Sequence, residues 1–107
     1  MGVVPVCEGP VMTQLHGIEL RYVLTMELSA NGPATVAQLI DALDRRGFSV
    51  RGRPSKAVSD ALRWEIARGR VHRLRRGLYK RAYIPHATEY RIINRVRALR
   101  VAALLSL

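Results

Sequence analysis

Apolar side chains recur at Leu15, Ile18, Tyr22 and Met26, with Val23 and Leu28 flanking them. That spacing predicts an amphipathic first helix from about Thr13 to Ala30. Asn31-Gly32-Pro33 ends it, because glycine leaves helical backbone readily and proline lacks an N–H. Thr35 and Gln38 are spaced as a capping box, each side chain placed to satisfy the other's backbone donor. They open a second, shorter helix with Val36, Leu39, Ile40 and Leu43 on one stripe. Gly47 is its left-handed stop, and Phe48 is placed to fold back over the last turn. Ser55 is an N-cap residue type for a third helix running to about Arg68, with Gly69 as the stop. Val58, Leu62 and Ile66 form its inward stripe, with Ala61 and Glu65 beside it, while Lys56, Ser59, Asp60 and Arg63 lie opposite. Trp64 stands at the edge between these two faces.

The period then drops from helical to two. Val71-His72-Arg73-Leu74 and the run Leu78 to Tyr83 flank Arg75-Arg76-Gly77, the pattern of a β-hairpin with a basic tip. Gly77 supplies the positive backbone angle such turns often require. After Pro85 a last helix over about Thr88 to Leu105 places Ile92, Val96, Leu99 and Ala103 on one side and most of Arg91, Arg95, Arg97 and Arg100 on the other. Residues 1–12 show no helical period and contain Pro5, Gly9 and Pro10, so they read as an arm. The fold class is mainly α with a small β-hairpin, an α+β domain over 13–84 followed by a C-terminal helix over 85–107. Neither an internal repeat nor a dividing linker is visible.

Charge changes this picture. The 107 residues carry a net charge of +10, and nearly all of the basic residues are arginine. An arginine-rich composition alone proves little, since a GC-rich genome produces one. The distribution says more: residues 45–81 hold 13 of the 18 basic residues, with only Asp60 and Glu65 as acids. So local an excess is the footprint of a polyanionic partner. Cys7 is the single cysteine, which excludes an internal disulfide and any cysteine cluster for a metal. The start of the chain lacks the pattern of a signal peptide, and no run has the length and apolarity of a membrane span. A cytoplasmic, nucleoid-associated protein is the expectation.

Three helices, a two-stranded wing and a further helix form the element order of a winged helix-turn-helix domain. The segment ALRWEIARGRVHRLRRGLYKRAY resembles the junction of third helix and wing in bacterial regulators of that family. It is similar also to the N-terminal domains of some antitoxin-type repressors. The resemblance covers residues 13–84 and implies that the third helix enters a DNA major groove while the wing lies on backbone or minor groove. Lys56, Ser59, Asp60 and Arg63 would then face the groove, where arginine pairs with guanine in bidentate fashion. Ser55 and the first free N–H groups of the helix favour a phosphate. Arg73, Arg75 and Arg76, with Lys80 and Arg81, would neutralise flanking phosphates and position the domain without reading sequence. Arg51-Gly52-Arg53-Pro54 resembles the R-G-R-P core of an AT-hook, a family in which extended arginines lie in a narrow minor groove. Glycine there permits close approach, and proline keeps the segment from turning helical. Minor-groove insertion, phosphate contact and a merely solvated loop are all open to this stretch.

The C-terminal helix has three open roles. It closes the domain, or it forms a homodimer interface through Ile92, Val96, Leu99 and Ala103, or it lies as a basic amphipathic face on anionic lipid. No membrane partner is expected on balance. His16, His72 and His86 are too scattered for a metal site, and Ser59 beside Asp60 lacks the histidine a catalytic set requires. Tyr79 and Tyr83 read as strand-packing residues. No cofactor, catalytic residue or small-molecule pocket is legible, so the expectation is a non-enzymatic protein for double-stranded DNA, a transcriptional regulator or nucleoid protein acting as a homodimer. Two other classes fit the same features: a protein-interaction module working through the last helix, and a binder of structured RNA.

Overall fold

The computed structural model describes residues 13–15 and 17–105. The arm expected over 1–12, with Cys7, and also His16, lie outside the described residues. The element order is β1 (Thr13–Leu15), α1 (Ile18–Asn31), β2 (Ala34–Thr35), α2 (Val36–Arg45), β3 (Phe48–Val50), α3 (Pro54–Ala67), β4 (Val71–Arg75), β5 (Leu78–Arg81) and α4 (His86–Leu105). This is an α+β fold of four helices with little sheet, as the periodicity predicts.

The first helix starts later than its sequence pattern suggests. Thr13–Leu15 is a strand, paired in parallel with β3 in the register Thr13↔Phe48 and Leu15↔Val50. Gly17, at φ +61°, then turns the chain into α1. Leu15 is buried as a strand residue, and Ile18 is left exposed. Nor does α1 keep a single stripe: Leu20, Tyr22, Val23, Leu24, Thr25, Glu27 and Leu28 are all buried. A helix covered on nearly every side is a central one, and α1 does touch α2, α3, α4 and β5.

Several local signals act as read. Gly32, at φ +82°, closes α1 with its N–H on the Leu28 carbonyl at 3.0 Å. The capping box of α2 is complete, with Thr35 N–H donating to Gln38 Oε1 at 2.8 Å and Gln38 N–H to Thr35 Oγ1 at 3.2 Å. Leu39 and Leu43 are buried from its stripe, while Val36 and Ile40 are half-buried. Phe48 is buried, but as the first residue of β3. Thr35 also ends a two-residue strand that the sequence is too brief to announce. β2 pairs antiparallel with β5, giving a three-stranded sheet in the order β2–β5–β4. The hairpin β4–β5 forms as expected, with Gly77 at φ +77° and a bulge between Arg73 and Arg75. β5 stops at Arg81, so Tyr83 lies beyond the sheet and is exposed rather than packed. Tyr79 packs against the core.

Ser55 is not the cap of α3. Arg53 holds that position in extended backbone (φ −77°, ψ 121°), and Pro54 is the first helical residue. The cause is simple: proline forces its predecessor out of helical backbone, yet its own fixed φ and missing N–H suit the first turn. Pro54 therefore begins the helix instead of preventing one. The inward face of α3 is Val58, Ala61, Leu62 and Glu65, with Ile66 left partly exposed.

The fourth helix packs on α1 and β1. Ile92, Val96 and Ala103 are buried in the same core as Leu24, Leu62 and Phe48, and Leu99 packs against it. The stripe read as a possible dimer surface is thus taken up inside the chain. Ion pairs reinforce the closure, Arg95 to Glu19 on α1 at 2.9 Å and Arg81 to Glu89 at 2.6 Å. Among the described residues no helix is long and apolar enough to cross a membrane.

Candidate nucleic-acid interface

Alternation of buried and exposed positions along α3 decides what the helix can present. With Val58, Ala61, Leu62 and Glu65 inward, Lys56, Arg63 and Trp64 are exposed, and Ser59 and Asp60 are partly so. Asp60 sits between two cations. Lys56 Nζ donates to its Oδ2 at 2.9 Å and Arg63 Nη1 to its Oδ1 at 3.2 Å. The Lys56 hydrogen bond, working against desolvation and helped by the Lys56 and Arg63 charges, holds the Asp60 carboxyl below its ordinary value. Lys56 and Arg63 are therefore internally engaged, and any anion they contact competes with Asp60.

Free charge lies just before α3 and on the hairpin that follows it. Gly52, at φ +78°, bends the chain so that Arg51 and Arg53 are both exposed on a corner rather than a straight extended arm. Ser55 is exposed on the first turn and makes no capping bond. On the hairpin Arg73, Arg75, Arg76 and Lys80 are all exposed. These four, with Arg51 and Arg53, form no ion pair among the described residues. Four other arginines of the basic segment are spoken for. Arg45 pairs with Asp41, Arg46 with Glu27, Arg70 with Glu65 and Arg81 with Glu89. Arg81 accordingly leaves the set of phosphate candidates.

A buried cluster fixes the hairpin relative to α3. Glu65 has no exposure, and its two oxygens accept from Arg70 Nε at 2.8 Å and Nη2 at 2.9 Å, a bidentate pair. Thr25 Oγ1 of α1 donates to the same carboxylate at 2.8 Å, and Arg21 Nε stands 4.0 Å away. The Glu65 hydrogen bonds raise the Arg70 guanidinium above its ordinary value, against a lesser effect of burial. Arg70 is also over the Tyr22 ring at 5.7 Å. Its backbone N–H donates to the Glu65 carbonyl and its carbonyl accepts from Ala82, both at 2.9 Å. One arginine thus joins the end of α3 to both sides of the hairpin and to α1.

Sequence reasoning passed over this cluster, because Glu65 and Arg70 lie across a glycine stop with no shared period. The Lys56–Asp60 spacing, by contrast, is a visible i,i+4 pair. Trp64, unplaced by the sequence, is exposed with the guanidinium of Arg21 at 5.4 Å and of Arg68 at 5.8 Å from its ring centre. It borders an open groove of about 440 Å³ between the start of α1 and α3, a space drawn from three separate segments. No group of three metal-ligating side chains occurs among the described residues. Compared with family models, with curated proteins and with solved structures, the chain matches none.

Proposed function

We propose that this chain is a winged helix-turn-helix protein that binds double-stranded DNA, placing α3 in the major groove and the β4–β5 wing along the phosphates. The observation that carries the reading is the arrangement of unpaired cations, Arg51 and Arg53 before α3 and Arg73, Arg75, Arg76 and Lys80 on the hairpin next to it. The element order supports it too, since β2 joins the wing as its third strand and α2 precedes α3 through a connection over residues 46–53 that contains β3. The parallel β1–β3 pair and α4 are additions to that plan. Free guanidinium groups on a rigid frame suit phosphates, and Lys56 and Arg63 suit base edges once released from Asp60. The corner at Gly52 directs Arg51 and Arg53 toward phosphate contact more readily than deep insertion in a minor groove.

Fluorescence anisotropy on AT-rich and GC-rich duplexes across a salt series tests the proposal. Log affinity should fall steeply and linearly with log salt, by counterion release. Equal affinities for the two duplexes fit phosphate contact by the corner, while an AT preference fits its insertion. Absence of binding at low salt ends the DNA reading. A nucleoid-associated regulator is the role such binding would serve, and a matched RNA duplex as competitor separates DNA from structured RNA.

A further inference from the structure

The groove beside Trp64 has the composition of a small-ligand site. Its floor is apolar, formed by buried Leu15, Leu20 and Ala61 with half-buried Ala57. Arg21, Arg51 and Arg68 line it with Trp64, and its volume of about 440 Å³ falls in the range of sites for small organic molecules. Asp60 is the one acid in the lining, and its charge is already met by Lys56 and Arg63. Arg21 shares Glu65, at 4.0 Å, with Arg70 and Thr25, and the Arg21 and Arg68 guanidinium groups lie over the Trp64 ring. Arg51 and Arg68 have no ion pair among the described residues. The groove therefore offers net positive charge above an apolar bed.

We propose that it binds a small amphipathic carboxylate, with a ring or short alkyl body on the leucine and alanine floor and the anion among the three arginines. Neutral apolar molecules would leave Arg51 and Arg68 without a counter-charge, and a compact inorganic anion would leave the floor empty. Carboxylate and guanidinium match in planar, bidentate fashion. This binding does not rest on the DNA reading, and its test contains no nucleic acid.

Trp64 is the only tryptophan in the chain, so its emission reports the site directly. The full chain is titrated with hydrocinnamate, with its neutral amide hydrocinnamamide, and with inorganic phosphate, exciting where the probe's phenyl ring is transparent. A saturable change with hydrocinnamate is expected, with binding of the amide about tenfold weaker, as for loss of a charge-assisted hydrogen bond. Arg51→Gln with Arg68→Gln should weaken hydrocinnamate by a similar factor, and Ala57→Leu, which fills the floor, should abolish the response. Circular dichroism of each variant identifies any that fail to fold, and the three-probe comparison on the unaltered chain decides without them. No saturable change, equal response to acid and amide, or equal response to phosphate alone would each overturn the proposal.

Discussion

Glu65 is a carboxylate with no exposure, sustained by a bidentate arginine and a threonine hydroxyl. Removing one partner of such a pair strands the other charge in a poorly solvated place. Glu65→Ala should therefore lower unfolding stability by about 3 kcal/mol, measured by urea denaturation, and a loss within error of zero would show the cluster to be dispensable. Asp60 works differently, at the surface, by restraining Lys56 and Arg63. Asp60→Asn should tighten duplex binding several-fold at a fixed low salt, because two cations are released and one repulsive charge is lost. Unchanged or weaker binding would mean that Asp60 itself contacts the nucleic acid. The same substitution has a pH signature. A carboxyl held below its ordinary value of 3.8 favours the folded state above that value. The contribution disappears as pH falls through the lower folded-state value, so the variant should show a flatter acid limb in its stability curve.

The hairpin and α3 work as one piece because Arg70 binds both. That rigidity matters for the proposed wing role of the hairpin, whose Arg75 and Arg76 flank no acid and stand at its tip. Replacing both with glutamine should weaken AT-rich and GC-rich duplexes alike and reduce the slope of log affinity against log salt by about two. Anisotropy over the salt series reads both effects, and an unaltered slope would remove the wing from the interface. Pro54 and Gly52 define the element boundary before α3. The glycine supplies a left-handed bend and the proline an immediate helical start, so Arg51 and Arg53 are delivered to the N-terminal end of α3 on a short, stiff corner.

α4 is part of the single core rather than an appendage. Ile92 is 1% exposed and belongs to the core that also holds residues of α1, α3 and β3. Ile92→Ala should cost about 2–5 kcal/mol of stability while leaving the sedimentation coefficient of the native protein unchanged. A shift from dimer to monomer without loss of stability would restore the helix to an interface role. What α4 leaves outward is mixed, with Arg91, Arg97 and Arg100 beside Val101, Leu104 and Leu105.

Signals that act within one or two turns were readable from residue order alone. The capping box at Thr35 and Gln38, the stops at Gly32, Gly47 and Gly69, and the hairpin around Gly77 each depend on neighbours a few positions away. The concentration of arginine in 45–81 is likewise a property of the chain as written. Decisions that need a distant partner were not readable. Thr13–Leu15 is a strand because Phe48–Val50 lies beside it, and Ala34–Thr35 is one because β5 does. Glu65 is tolerated in the interior because Arg70 and Thr25 converge on it, while Ile66 is left partly exposed. The helical stripe of α4 looked the same whether its cover was a second copy or α1. Only folding chose α1, because packing that helix within the chain buries its apolar side without the loss of translational and rotational freedom that association requires.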